Sequence, residues 1–163
     1  MSERPSWILP IKRLVHSRNV FEWCKYQYPG HKKGCPNYCK VQKCPPFSKY
    51  VTEIFDITQP LYFVFSEFDL LAHVEKMRNR HPKWTERQLR NCLYWQPRSR
   101  KQMLERTKQA ILLLKTEMMH LMPEAIGVNV YATAAISGMR LEKIKDIETC
   151  HHISMLGYPV IAL

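Results

Sequence analysis

The stretch PLYFVFSEFDLLAHVEKM, residues 60–77, contains the change of hydrophobic pattern on which the fold prediction rests. After Pro60, the aromatic and β-branched run from Leu61 to Phe65 is typical of a buried strand. The segment 66–69 places an acid three residues after a serine, which predicts a helix start of the capping-box kind. Apolar residues then recur at helical spacing through Met77. A strand followed directly by a helix indicates a sheet with packed helices.

Further elements are predicted downstream of this stretch. A capping-box pattern at 85–88 predicts a helix that stops before Pro97, with Leu89, Cys92 and Leu93 on one apolar face. A second pattern at 99–102 predicts a longer helix that ends before Pro123. The remaining patterns predict a strand over 128–135, a short helix over 141–147 and a terminal strand over 158–163. Strands separated by helices favour an α/β or α+β fold with a short sheet.

Length and composition favour one ordinary globular domain. We predict a single domain over 1–163, in which residues 1–50 form a cysteine-rich metal-binding subregion and residues 51–163 form the α/β body. Hydrophobic residues make up 45% of the chain, which excludes a wholly disordered protein. The longest apolar runs are far shorter than the about 20 residues of a membrane span, so we expect no membrane partner. The N-terminus lacks the apolar core of a signal peptide, which favours a cytoplasmic location.

Four of the six cysteines fall close together in the N-terminal part of the chain, at Cys24, Cys35, Cys39 and Cys44. The residues between them are polar and rich in turn formers, so packing in a core does not explain this grouping. We expect no disulfides here, because the cytosol keeps thiols reduced. Metal ligation is therefore the preferred interpretation of this segment, residues 24–44, which we call the cysteine loop.

The spacing of the four cysteines bears on which metal they hold. Cys35 and Cys39 have the spacing of one half of a structural zinc site, but Cys24 and Cys44 do not make the second tight pair. Iron–sulfur clusters accept more varied spacings, and a proline follows both Cys35 and Cys44, as one follows a cluster cysteine in bacterial ferredoxins. We predict an iron–sulfur cluster of the [4Fe–4S] type, with zinc as the alternative cofactor and unligated thiols as a third outcome.

The segments Cys35-Pro-Asn-Tyr-Cys39 and Cys44-Pro-Pro46, together with the C-terminal stretch from Cys150 to Val160, resemble a small family described as predicted metal-binding proteins. Members of that family carry an N-terminal cysteine group that ends in Cys-Pro-Pro. The resemblance implies a metal or iron–sulfur protein without a settled reaction. The family usually has a second cysteine group before its closing segment. Here only Cys150 lies in that region, so we expect no second cluster.

Basic residues are concentrated in two zones of the chain. Of the 25 lysines and arginines, ten lie in residues 1–50 and eleven in residues 76–108, whereas residues 51–75 carry five acids and no base. Clustered cations of this kind favour a nucleic acid or another phosphate-bearing partner, because they release counterions from phosphates. The predicted contact residues of the second zone are Arg78, Arg80, Lys83, Arg87, Arg90, Arg98, Arg100 and Lys101. The alternative is a solvated surface that aids solubility.

Aromatic residues are interleaved with this second basic zone. Trp84, Tyr94 and Trp95 would stack on unpaired bases if they were exposed. The alternative is that Trp84 and Trp95 pack into the core, and for the aromatic residues this alternative is the preferred one. The triplet Cys150-His151-His152 is a separate candidate for a ligand or an acid–base group, with an ordinary loop as its alternative.

Two functional hypotheses follow from these patterns. The first is an iron–sulfur enzyme that acts on a nucleotide or nucleic acid, in which Cys35, Cys39 and Cys44 hold the cluster and Cys24 stays free. The second is a non-catalytic module, with four cysteines on the metal and a basic surface that binds nucleic acid. A zinc-stabilised form of this module is the alternative to the iron–sulfur protein. The glycines are too dispersed for a phosphate-binding loop.

Overall fold

The structure, a computed structural model, describes residues 3–28, 30–143 and 147–162. Its centre is an antiparallel sheet in the order β1–β2–β4–β3. The strands are β1 (Ile8–Pro10), β2 (Tyr62–Asp69), β3 (Met118–His120) and β4 (Thr149–Gly157). The two central strands, β2 and β4, pair from Tyr62 opposite Leu156 to Asp69 opposite Thr149. The α+β fold predicted as one of the two alternatives is therefore confirmed.

Helices cover both faces of the sheet. They are α1 (Val51–Ile54), α2 (Leu70–Arg80), α3 (Glu86–Leu89), α4 (Gln96–Leu114) and α5 (Val130–Ile136), with 3₁₀-helices at Arg18–Lys25, Cys92–Tyr94 and Pro123–Ile126. Because side chains alternate along a strand, Phe63 and Met155 enter a core with Val51, Phe55 and Ile126. On the opposite face, Val64 and Leu156 pack against Ala110 of α4.

The interface between α4 and the sheet contains hydroxyl groups as well as apolar side chains. The Thr107 hydroxyl lies 2.7 Å from that of Ser154 and donates to the Met103 carbonyl at 2.7 Å. Nearer the start of α4, Ser99 Oγ lies 3.0 Å from Ser66 Oγ and 2.8 Å from His152 Nδ1. Each of these buried hydroxyls has a partner, so the polar contacts hold α4 across β2 and β4 without an unpaired group.

The predicted strand and helix of residues 60–77 are present as β2 and α2, but the helix start differs from the prediction. Ser66 does not cap a helix; it is buried inside β2. The cap is Asp69, whose carboxylate accepts a hydrogen bond from the Ala72 N–H at 2.8 Å. The strand runs on to Asp69 because β4 pairs with it along its whole length.

Of the two later capping boxes, one is confirmed. Thr85 and Gln88 form a reciprocal box at the start of α3, although this helix ends at Leu89. The box predicted at Ser99 is wrong, because Ser99 lies inside α4, which starts at Gln96. The predicted apolar face at Cys92 and Leu93 is also wrong, since both side chains are exposed.

Three predictions for the C-terminal half also need correction. The segment predicted as a strand over 128–135 is largely α5, whose cap Asn129 accepts from the Ala132 N–H at 3.0 Å. The longest helix ends at Leu114 instead of continuing to Pro123, and β3 occupies part of the remainder. The final strand is β4, which precedes the predicted 158–163. The helix predicted over 141–147 falls partly on residues 144–146, which lie outside the described residues, as does residue 163.

Candidate functional site

Backbone hydrogen bonds bring the ends of the first half of the cysteine loop together. Cys24 lies in the 3₁₀-helix Arg18–Lys25, and its carbonyl accepts a hydrogen bond from the Cys35 N–H at 2.7 Å. Between them the chain reverses through a bridge that pairs Tyr28 with His31. Two cysteines that are eleven residues apart in sequence are therefore neighbours in space.

Gly34 makes this approach possible. Its φ is +85°, in the left-handed region that glycine adopts without a steric penalty. A Cβ at this position would lie 2.5 Å from the Cys24 carbonyl oxygen and 2.9 Å from the Lys25 carbonyl carbon. Both are backbone atoms, which cannot rotate away as a side chain can. The contact between Cys24 and Cys35 therefore requires glycine at residue 34.

The second half of the loop closes through two further backbone bonds. The Cys39 N–H donates to the Pro45 carbonyl at 3.0 Å, and the Cys44 N–H donates to the Val41 carbonyl at 2.9 Å. Cys39 itself has a φ of 59°, which turns the chain sharply at this residue. The Cys44 side chain is 7% exposed, whereas Cys39 is exposed to solvent. The second half of the loop therefore holds Cys39 close to the backbone of Cys44 and Pro45.

The pKa shifts of the loop side chains indicate which groups lie near one another. Burial raises the pKa of Cys24, and the Cys35 and Cys44 thiols raise it further. Burial also raises the pKa of Cys44, followed by the influence of Cys35 and Glu124. The pKa of Tyr28 is raised by burial first and then by Cys35. Cys24, Cys35 and Cys44 therefore lie close enough to act on one another.

These thiols are near one another, but they do not form a single-ion site as they stand. In the part of the chain that the structure describes, no three His, Cys, Asp or Glu side chains converge as ligands of one metal ion. The raised pKa values favour the protonated thiols of Cys24 and Cys44 at neutral pH. Because the thiolate is the form that binds metal, metal uptake would release protons from this loop.

Three residues of this region are not indicated by the cysteine pattern. Gly34 lies in the turn-rich part of the loop, and its position before a cysteine could have indicated a close backbone approach. Tyr28 lies beside the thiols because of the hairpin reversal. Glu124 comes from the 3₁₀-helix Pro123–Ile126, far along the chain, and no local pattern connects it to the loop. Loss of hydration in the surrounding protein raises the pKa of the Glu124 carboxyl, although part of its side chain is exposed to solvent.

Most of the predicted nucleic-acid contact residues lie at the surface. Arg78, Arg80, Lys83, Arg87, Arg98, Arg100 and Lys101 are exposed. Arg78 forms a salt bridge with Glu86. Arg90 is half-buried and donates to the Ile147 carbonyl at 3.1 Å, so it also joins α3 to the segment before β4. The exposed residues come from α2, the turn between α2 and α3, α3 itself and the first turns of α4.

The aromatic residues of this zone divide into two groups. Trp95 is buried and stacks on Phe68, with ring centroids 4.8 Å apart. The rings of His81 and Trp84 are parallel within 9° at 4.0 Å, and the Tyr94 ring stacks on Trp84 at 5.5 Å. The Tyr94 side chain is 57% exposed. A column of three stacked rings, His81–Trp84–Tyr94, therefore reaches the surface among the basic residues.

Cys150, His151 and His152 do not form one site, because they lie on β4, where neighbouring side chains point to opposite faces. Burial raises the pKa of Cys150 to about 11, so its thiol stays protonated. His152 bonds to Ser99, whereas the His151 ring packs on Phe65 from the other face. The loop predicted as the ordinary alternative for this triplet is wrong, because the segment is a central strand.

Comparisons of the chain with protein-family models, with curated proteins and with solved structures gave no match. The helices of the described residues include none with the length and apolar character needed to cross a membrane.

Proposed function

We propose that the cysteine loop binds an iron–sulfur cluster of the [4Fe–4S] type, with Cys24, Cys35, Cys39 and Cys44 as its ligands. The observation that carries this proposal is the backbone closure of the loop. Bonds from Cys35 to Cys24 and from Cys39 to Pro45 close the two halves of the loop that carries the four cysteines. The loop itself contributes few buried side chains, so a bound cluster would supply the folding free energy that a core supplies elsewhere.

The same geometry favours a cluster over the zinc alternative. A single zinc ion needs its ligands to converge on one point at about 2.3 Å from each sulfur. The thiols of Cys24, Cys35 and Cys44 influence one another without such convergence. A cluster is the larger object, because its cysteines bind separate irons. All six cysteines are unpaired thiols, so the four in the loop are available as ligands.

Anaerobic purification of the full chain tests this proposal directly. We expect brown protein with broad visible absorption and about four irons and four sulfides per chain. Iron, sulfide and zinc are measured on the same sample, and the absorption is followed on exposure to air. Colourless protein that carries one tightly bound zinc would show that the loop is a zinc site instead.

A second function is favoured by the stacked column His81–Trp84–Tyr94. We propose that the surrounding surface binds single-stranded nucleic acid, with a base continuing the column beyond Tyr94 and the exposed arginines on the phosphates. Stacking of a base on an aromatic ring tolerates any sequence, since every base has a flat face. Arg80 and Arg87 are exposed and form no salt bridge within the described residues, so both can bind phosphate.

Replacing Tyr94 with alanine tests the stacking. Loss of one stacked base weakens binding by about 5- to 150-fold, which corresponds to roughly 1–3 kcal/mol. The matched control is Tyr131→Ala, because Tyr131 is 46% exposed and lies on α5, away from the column. Binding is measured by fluorescence anisotropy with a labelled single strand. Equal affinities of the two variants would contradict a role for the column.

The same titrations at several salt concentrations test the binding of phosphates. In Arg80→Gln/Arg87→Gln, the slope of log affinity against log salt should decrease by roughly 0.7 for each phosphate that is no longer neutralised. Neutralising the exposed Lys115 and Arg140, which lie outside both basic zones, should leave the slope unchanged. A slope that is the same in both double variants would assign Arg80 and Arg87 to an ordinary solvated surface.

A further inference from the structure

A cleft of about 650 Å³ lies where the end of β2 meets α2 and α4. Its volume falls in the range of about 300–1,000 Å³ that is usual for small-molecule sites. Most of its lining side chains are charged or polar. Neither the cysteine loop nor the column His81–Trp84–Tyr94 contributes to the lining. The cleft is therefore distinct from both, and it shares Arg98 and Lys101 with the predicted nucleic-acid contacts.

The charges in this cleft are of both signs. Lys76 comes from α2, and Arg98 and Lys101 come from α4, while Glu67, Asp69 and Glu105 line the same space. Among the described residues, none of these six side chains takes part in a salt bridge. Asp69 is already engaged by the Ala72 N–H, and Glu67 points to the sheet face opposite to that of Ser66 and Phe68, because side chains alternate along β2. Glu105 is therefore the free acceptor of the cleft. A ligand that matches this lining carries an anionic group and separate hydrogen-bond donors.

The remaining lining residues add an aromatic wall. Phe68 stacks on the buried Trp95 and packs against the His73 ring, with centroids 5.5 Å apart, so its own ring is held in place. Burial lowers the pKa of His73, with a further contribution from Lys76, so the imidazole adds no positive charge at neutral pH. The cationic part of the cleft is therefore confined to the two lysines and Arg98.

We propose that this cleft binds a nucleoside 5′-phosphate. Arg98 and Lys101, three residues apart on α4, hold the phosphate, since Arg supplies a forked donor and Lys a point charge. Glu105 accepts hydrogen bonds from the ribose hydroxyls, and the base lies against the wall formed by Phe68. The inference does not depend on a cluster in the cysteine loop or on the stacked column. The ligand is either a free mononucleotide or the 5′-phosphorylated end of a nucleic-acid strand.

Calorimetric titration of the full chain with adenosine 5′-monophosphate tests the proposal. Removing two charge-assisted hydrogen bonds to the phosphate should weaken binding by about 100-fold in Arg98→Gln/Lys101→Gln. The control Lys12→Gln/Lys108→Gln removes the same charge outside the cleft and should bind as the unchanged protein does. Thermal unfolding of both variants checks that the fold is retained. Adenosine, which lacks the phosphate, should bind far more weakly to the unchanged protein.

Further titrations identify the source of the nucleotide and separate this site from the stacking surface. A 5′-phosphorylated trinucleotide that binds more tightly than the mononucleotide, with the 5′-hydroxyl form much weaker, would assign the cleft to strand ends. Equal or weaker binding of the trinucleotide would assign it to free nucleotides. Tyr94→Ala should leave mononucleotide binding unchanged. The proposal is overturned if millimolar mononucleotide does not bind, or if the cleft variant binds as well as its control.

Discussion

Replacing Cys44 with serine is expected to remove nearly all iron and sulfide from anaerobically purified protein. Cys44 is the most buried cysteine of the loop, and its carbonyl accepts hydrogen bonds from the N–H groups of Phe47 and Ser48. A serine hydroxyl is a much weaker iron ligand than a cysteine thiolate. The hydrogen-bonded backbone at residue 44 also prevents the loop from rearranging to offer the iron another ligand. Since binding and folding are linked, we also expect faster proteolysis within residues 24–44. Metal analysis and limited proteolysis measure the two effects.

The matched control for this prediction is Cys92→Ser. Cys92 is exposed in the 3₁₀-helix Cys92–Tyr94, outside the cysteine loop. This variant should keep the full iron content and the same proteolysis rate as the unchanged protein. Equal iron loss in the Cys44 and Cys92 variants would show that the iron is not held by the loop.

Cys24→Ser distinguishes the binding module from the enzyme. If Cys24 is the fourth ligand, this variant should lose iron about as completely as Cys44→Ser. The Cys35 N–H donates to the backbone carbonyl of residue 24, and this bond does not depend on the side chain there. The loop conformation should therefore be the same in the variant. Full iron and sulfide in Cys24→Ser would instead indicate a cluster with three cysteine ligands. One iron would then be open to a substrate, which favours the enzyme hypothesis.

The second large effect is expected for Gly34→Ala. The added methyl group would overlap the backbone of Cys24 and Lys25, and alanine also pays a penalty at a φ of +85°. To relieve the overlap, the hydrogen bond between Cys35 and Cys24 must lengthen or break. We expect most of the bound iron to be lost even though all four cysteines remain. Iron analysis and visible absorption of the anaerobic variant measure this loss.

Gly30→Ala separates the overlap from the conformational penalty. Gly30 has the same φ of +85°, but a Cβ there has no atom within 4 Å. The alanine variant therefore carries the backbone strain, which is about 1 kcal/mol, without the collision. It should retain its iron. If the two alanine variants lose iron equally, the left-handed conformation and not the contact with Cys24 is what the loop requires.

Parts of this fold could be predicted because they depend on neighbouring residues. The apolar run at 61–65 and the helical spacing after Leu70 correspond to β2 and α2. The Thr85 capping box is present as predicted, because it needs only a side chain and an N–H three residues apart. Ser66 and Ser99 show the same local pattern, yet they lie within β2 and α4. There they form a hydrogen bond with each other, and this tertiary contact overrides the capping pattern.

Strand β4 shows why the rest of the sheet could not be predicted in the same way. Its sequence TCHHISMLG has no simple alternation of apolar and polar residues, because the face towards α4 contains His152 and Ser154. Ser154 is buried and His152 half-buried on this face because Thr107 and Ser99 of α4 supply their hydrogen-bond partners. The predicted strand over 128–135 is wrong for most of its length. Segment 130–136 is α5, in which Asn129 caps a series of alanines.

By itself, the sequence determined the spacing of the cysteines, the basic character of residues 76–108, and the strand β2 with the helix α2 that follows it. Each of these depends on residues that are close together in the sequence. The tertiary structure alone decided that Glu124 reaches the cysteine loop and that Trp95 is buried while Tyr94 is exposed. It also decided that Glu67, Lys76 and Arg98 line one cleft. Glu124 is far along the chain from the cysteine loop, and α4 is separated in sequence from β2 and α2. Only the pairing of the sheet and the packing of α4 on it bring such groups together.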